Sequence, residues 1–191
     1  MTDIVITDLS KAYGEKAVLQ HLSLTLPAGQ ITALLAPSGW GKTTLLRLLM
    51  GLDLPDQGRI TGCPQDLAAV FQEDRLCMDF NPVANIRLPS PALSREDVLE
   101  AMEAVGLTGC ATQPARELSG GMQRRVSLLR ALLSPASCLL LDEPFKGLDE
   151  ELHRQVLAYT RSQCAGRTVL LVTHREEEAR AIGAAQLLQY N

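Results

Sequence analysis

Hydrophobic positions fall in short runs separated by polar turns that carry glycine or proline. Near the N-terminus, Ile4 to Leu9 and Leu22 to Leu26 pattern as strands. Lys11-Ala-Tyr-Gly-Glu-Lys16 is predicted as a polar turn between them, and Pro27-Ala-Gly29 as the turn into a β-prone run, Ile31 to Leu35. The leucine-rich segment Leu45 to Met50, closed by Gly51, predicts a helix. Turn chemistry over Asp53 to Gly58 precedes two short strands, Arg59 to Thr61 and Leu67 to Phe71. Residues 73–93 contain Pro82, Pro89 and Pro91 and predict irregular connections with at most short helices. Ser94 is the expected N-cap of a helix from about Arg95 to Val105, stopped by Gly106. A glycine-containing turn, Leu118 to Arg125, then opens a helix with Val126, Leu129 and Leu133 on one face, ended by Ser134-Pro135. The unbroken apolar runs Cys138 to Leu141 and Thr168 to Val172 suit central strands buried on both faces. Asp149-Glu-Glu151 starts a helix between them that reaches about Cys164, and a short helix (Glu176 to Ile182) and a segment from Ala185 to Tyr190 close the chain.

This alternation points to an α/β fold. A chain of 191 residues suits one domain, or one domain with a small subdomain, and buries a sizeable core without staples. A formal charge of -4 argues against a nucleic-acid binder that works by bulk charge. Five scattered cysteines without any C-x-x-C pair indicate neither a disulfide framework nor a zinc site, and a reducing cytoplasm is the simplest home. The first residues carry an acid where a signal peptide needs basic groups, and no run approaches the roughly 20 apolar residues that span a bilayer. A membrane role would therefore need a partner to hold the chain there.

Candidate chemistry collects where strands end. Ala36-Pro-Ser-Gly-Trp-Gly-Lys-Thr-Thr44 lies between a strand and a helix, the context that a phosphate-binding loop requires. Backbone N–H groups and a helix N-terminus face an anion there, Lys42 adds a point charge, and the Thr43 hydroxyl can ligate Mg²⁺. The residues read as a nucleoside triphosphate cradle, with a chance turn between buried elements as the bland alternative. Gln72 leaves the end of a buried strand, where a sheet protein can offer a ligand, although alone it is also an ordinary solvated terminus. Asp142 and Glu143 close an apolar strand, which is costly unless they meet a cation or do work: one on Mg²⁺, the other beside an attacking water. A paired turn-forming dyad is the competing explanation. His174 ends the last buried strand, and shares an edge with Gln72 and Glu143 if the sheet is parallel. Ser119, Gly120 and Gly121 allow a close backbone approach to an anion at a second helix start, or simply cap that helix. Tyr13 offers a platform for a base or packs on the sheet rim.

In order and spacing, these pieces resemble the nucleotide-binding subunits of ATP-binding cassette (ABC) transporters. Ala36 to Thr44 resembles the Walker A loop, Gln72 the Q-loop glutamine, Leu118-Ser-Gly-Gly-Met-Gln123 the family signature, and Cys138 to Asp142 Walker B. Glu143 is similar to the catalytic glutamate, Gly147-Leu-Asp149 to the D-loop and His174 to the switch histidine, while Tyr13 falls where the adenine-stacking aromatic belongs. The resemblance covers essentially the whole chain, and Leu-Ser-Gly-Gly between the two Walker motifs is its most specific element.

The resemblance implies a P-loop NTPase (RecA-like) core with a mainly parallel central sheet, a small antiparallel β-subdomain and an inserted helical subdomain. Residues 1–72 and 135–191 would form the core with the β-subdomain, and 73–134 the helical signature subdomain. Two copies would meet head to tail as a homodimer and bury two ATP molecules. Each ATP would lie between Tyr13, Gln72 and the loop Ala36, Pro37, Ser38, Gly39, Trp40, Gly41, Lys42, Thr43 and Thr44 of one copy and Ser119, Gly120, Gly121 and Gln123 of the other. Asp149 would communicate across the dimer. Thr43, Gln72 and Asp142 would ligand or orient Mg²⁺, and Lys42, Glu143 and His174 would be catalytic.

The segment Phe71-Gln-Glu-Asp-Arg-Leu76 resembles the importer branch for nitrate, sulfonate, taurine and related small anions. That implies a membrane permease docking near Gln72, an extracytoplasmic solute-binding protein, a place on the cytoplasmic face of the membrane, and no nucleic acid. Ala36 stands for the first Walker A glycine, which would strain the loop if that position needs a positive φ. Trp40 stands for a small residue on the side expected to face the partner's signature, and Lys146-Gly147 and Cys77-Met-Asp79 also depart from the family's usual residues. Two rival readings are a nucleotide-binding regulatory subunit whose altered loop no longer turns over, and a chromosome-maintenance ATPase. The latter inserts long coiled coils between Walker A and the signature, for which the interval from Lys42 to Ser119 shows no heptads.

Overall fold

The computed structural model describes residues 1–190. Strands β3 (Ile31–Leu35), β5 (Leu67–Val70), β6 (Cys138–Asp142), β7 (Thr168–Thr173) and β8 (Gln186–Gln189) form a five-stranded parallel sheet in the order β5-β6-β7-β3-β8. β1 (Ile4–Tyr13), β2 (Lys16–Leu26) and β4 (Gln57–Thr61) form a separate antiparallel sheet in the order β2-β1-β4.

The unbroken apolar runs follow from burial on both faces. Cys138, Leu140, Leu170 and Val172 point into a core shared with helix α1 (Lys42–Leu49) and with Ile4, Ile6, Leu9 and Leu26 of the antiparallel sheet. Leu139, Leu141, Val169 and Leu171 point the other way, onto helices α2 (Pro82–Arg87), α3 (Arg95–Ala104), α4 (Gly120–Leu132) and α5 (Glu150–Gln163). Each fully buried leucine contributes about 1.5–3 kcal/mol, so the two-sided sheet carries much of the stability. Helix α6 (Glu176–Ile182) covers Ala33 and Leu35 through Ala179. The N-cap expected at Ser94 is present, and it forms a capping box with Asp97 as its reciprocal partner.

Several boundaries differ from the expected ones. The polar segment 11–16 is not a turn but the end of a hairpin whose loop is only Gly14-Glu15. Backbone pairing carries the strands beyond the apolar core, where side-chain patterning is silent, and Asp56 fixes the edge by accepting from Ala12 N at 2.7 Å and Lys11 Nζ at 3.0 Å. Asp8, at φ 52, sits in a break of register between Ile6 and Leu9 that returns Leu9 to the core face. Helix α1 begins at Lys42 rather than Leu45, because the last residues of the loop already form its first turn. A 3₁₀ turn, Ala115–Glu117, had no sequence signal.

The candidate active site

With all five strands parallel, the chain leaves β3, β5, β6 and β7 at one edge, the side where ligands bind in such sheets. A cavity of about 530 Å³ opens there. It is lined by Ala36, Pro37, Ser38, Gly39, Gly41, Lys42, Thr43 and Thr44, by Gln72, Asp142, Glu143 and His174, and by Val18 and Lys146. The strand ends thus gather residues spread over more than half of the chain.

The loop is built to leave donors free. Helix α1 is capped by Gly41 at φ 107, with no side chain bonded to its first turn and no acid within it. Its first N–H groups and the positive end of its dipole therefore face the cavity. A β-carbon on Gly41 would come within 2.8 Å of Leu19 and 3.0 Å of Val18, so only glycine lets the loop lie against β2. Lys42 Nζ arches over the loop and donates to the carbonyls of Ala36 at 2.9 Å and Pro37 at 3.0 Å. Ala36 does not strain the loop, because the position does not need a positive φ, and its small side chain is buried.

Asp142 is buried at the end of β6 and lines the cavity. Burial, then the neighbouring charge of Glu143, raises its pKa, while Arg124, Lys42 and Lys146 pull it back. A carboxylate that faces the cavity from an otherwise buried residue, with Thr43 on the same lining, fits a divalent cation whose other ligands would be phosphate oxygens and water. Glu143 has a left-handed backbone, φ 46, which costs a non-glycine residue about 1–2 kcal/mol. Its N–H donates to Val172 O at 2.8 Å. Its carboxylate lies 3.8 Å from His174 Nδ1 and 3.6 Å from Lys146 Nζ.

Other expected residues lie outside this cavity. Trp40 turns away: its ring packs on Tyr190 with centroids 4.7 Å apart and lines a separate cleft of about 550 Å³ along Val18 to Ser23. An indole is too large for the tight loop and finds apolar cover beside the last strand instead. The Tyr13 hydroxyl donates to Asp53 at 2.6 Å, with Lys11 Nζ 5.4 Å from the ring centroid, so the ring is anchored at the hairpin tip and 46% exposed. Ser119 caps α4 by accepting from Met122 N, and Ser119 and Gly120 are exposed. The Gln123 amide is spent at home, donating to the carbonyls of Ala115 at 2.9 Å and Leu118 at 3.1 Å, rather than offered outward. Asp149 caps α5 by accepting from Leu152 N at 3.0 Å.

Lys146 and Arg124 were not anticipated as site residues. The turn from Pro144 to Gly147 brings Lys146 back over Glu143, which its i, i+3 spacing could have signalled. Arg124 lies at helical spacing from Leu128 and Ala131 on the buried face of α4, so its position among apolar residues was a readable sign of buried work.

The ABC transporter family matches residues 19–146, a span that includes the loop, Gln72, the signature and Asp142-Glu143. The chain belongs to the ABC transporter family. It is an ATP-binding, ATP-hydrolysing subunit on a P-loop NTPase fold. Among its relatives, the aliphatic sulfonates import ATP-binding protein SsuB 3 of Pseudomonas savastanoi pv. phaseolicola is 40% identical over 97% of this chain and 72% of its own length. The aliphatic sulfonates import ATP-binding protein SsuB of Escherichia coli O1:K1 / APEC is 40% identical over 98% of this chain and 77% of its own. A dimeric structure of the ATP-binding cassette MJ0796 in a post-hydrolysis state, bound to ADP and Pi, superposes with a TM-score of 0.85. It is 25% identical, over 98% of this chain and 94% of its own. No described helix is long and apolar enough to cross a membrane.

Proposed function

We propose that this subunit powers import of a small anionic solute of the sulfonate class, with two copies closing head to tail on two ATP molecules. The observation that carries the reading is the single cavity in which Lys42, Thr43, Gln72, Asp142, Glu143 and His174 meet although they come from four strand ends. The sulfonate assignment rests on relatives at 40% identity and on the resemblance of Phe71 to Leu76 to that importer branch.

In this reading the triphosphate lies along residues 36–44, with loop N–H groups and Lys42 on its oxygens and the base against Tyr13. Thr43, Gln72 and Asp142 would hold Mg²⁺, which when bound neutralises phosphate charge and orients the leaving group. Glu143 accepts a hydrogen bond from the attacking water and polarises it toward phosphorus. His174, close to the Glu143 carboxylate, keeps that group and the terminal phosphate in register. The exposed N-terminus of α4, Ser119 to Gly121, closes on the terminal phosphate of the partner's nucleotide, and Asp149 lies at the same interface. Cleavage of that phosphate removes the contacts that bridge the copies, and the dimer opens.

Residues 73–134 form the signature-bearing helical part. The groove near Gln72 receives a membrane permease, which keeps the subunit on the cytoplasmic face, and an extracytoplasmic binding protein delivers the solute. The unstrained Ala36 argues against a non-hydrolysing regulatory subunit. Light scattering tests the composite site. With Mg-ATP, Glu143→Gln should run as a dimer and revert to monomer without nucleotide, and adding Ser119→Arg should keep it monomeric. A monomer in every condition, with ATP binding independently shown, would remove the head-to-tail site.

A further inference from the structure

We propose that Arg124 is a positioning residue that couples the placement of helix α4 to the backbone conformation of Glu143. A guanidinium offers five N–H donors in one plane and keeps its charge, so burial obliges it to find several acceptors at once. Arg124 is 6% exposed. Nη1 donates to the Phe71 carbonyl, to Asp74 Oδ1 at 3.1 Å and, at greater length, to the Gln72 carbonyl at 3.4 Å. Nη2 donates to the Asp142 carbonyl and to the Glu143 carbonyl at 2.8 Å. One side chain on the signature helix therefore joins the segment that carries Gln72 to both peptides flanking the left-handed Glu143.

Its arginine neighbours do something different. Arg125 donates to the carbonyls of Val105, Gly106 and Gly121, and Arg130 to those of Asp74 and Arg75; neither bonds to β6 or to Glu143. The direction of the Glu143 carboxylate follows from a strained φ held by Val172 on its N–H and by Arg124 on its carbonyl. If α4 moves as two copies close, Arg124 must carry Glu143 with it or give up charge-assisted bonds. That is a physical link between the signature of one site and the glutamate of the other site, since each copy gives α4 to one nucleotide and Glu143 to the other.

The proposal rests on Glu143 polarising the attacking water, and it is tested on the full chain by steady-state ATP hydrolysis and by binding of a fluorescent ATP analogue. Arg124→Gln should lower kcat about tenfold or more while KM and the analogue's Kd stay within about twofold, as expected when geometry is lost without loss of binding. Arg124→Lys should recover only part of kcat, because one ammonium does not span both pairs of carbonyls. Arg130→Gln, which loosens the same segment without touching β6, should keep kcat within about twofold. Should Arg124→Gln not fold, Arg124→Lys carries the test by the same separation of kcat from KM. Unchanged kcat in these Arg124 variants, or an equal loss in Arg130→Gln, overturns the proposal. Glu143→Gln measured alongside separates the failures: turnover surviving there removes the catalytic assignment and the proposal with it, whereas loss there but not at Arg124 overturns the proposal alone.

Discussion

In the loop of residues 36–44 the groups facing the cavity are backbone N–H groups and a few side chains within nine consecutive residues, whereas around Arg124 a single guanidinium gathers groups from residues 71, 72, 74, 142 and 143. The first region takes its shape from local conformational rules: a glycine at φ 107, an uncapped helix start and a lysine folded over its own loop. The second takes its shape from contacts across more than 50 residues. A site built locally binds its anion by geometry already present in the chain. A site built across segments changes when those segments move, which on the proposed head-to-tail closure would tie the placement of Glu143 to that movement.

Glu143→Gln separates the two regions most sharply. Hydrolysis should fall by about 10²–10⁴, the usual worth of general-base assistance, while ATP binding stays intact. Phosphate release and nucleotide titration on the same preparation check it, and undiminished turnover would take Glu143 out of its role. Lys42→Ala acts on the local region instead. Losing a charge-assisted contact worth about 1.5–3 kcal/mol should weaken ATP binding roughly tenfold to 100-fold, seen by equilibrium titration.

A smaller effect concerns the buried Asp142. Its folded pKa is raised from 3.8, burial being the largest cause. A carboxyl raised in this way favours the fold when protonated. Its contribution is complete below the unfolded value and is lost as pH rises through the folded one. Asp142→Asn should therefore raise the thermal midpoint at neutral pH without Mg²⁺, and the gain should close toward acid pH; a lower midpoint at neutral pH would mean that the carboxylate is stabilised as an anion. The smallest expected signal comes from Trp40, the only tryptophan. Packed on Tyr190 outside the cavity, it should report ATP through the movement of its loop as a modest change in fluorescence. A flat titration at saturating nucleotide would show that the loop does not move.

Much of the local region was legible before any coordinates. The strand before Ala36, the glycine at 41 and the leucines after Thr44 each obey a short-range rule, and β6 and β7 announce two-sided burial by runs without polar interruption. The hairpin tip at 11–16 leaves no strand signal in the sequence, because its strands are held by backbone ladder and by Asp56 rather than by a buried face. Whether alanine strains position 36 turns on a φ that the pattern of residue types does not give, because the φ of a loop residue is set by its neighbours. Lys146 and Arg124 carry only faint local signals, an i, i+3 spacing to Glu143 and a cation on an apolar helix face, and the acceptors of Arg124 come from distant segments.

The sequence by itself determined the order of strands and helices, the phosphate loop, and which residue types stand at the strand ends, since all of these depend on propensity, periodicity and spacing along one stretch of chain. Only the tertiary structure decided that Trp40 leaves the cavity for Tyr190 and that Arg124 holds the carbonyls of Asp142 and Glu143. The first depends on which distant apolar surface offers the indole cover, and the second on which backbone groups burial strips of water and must then be satisfied; both are settled only when the segments pack.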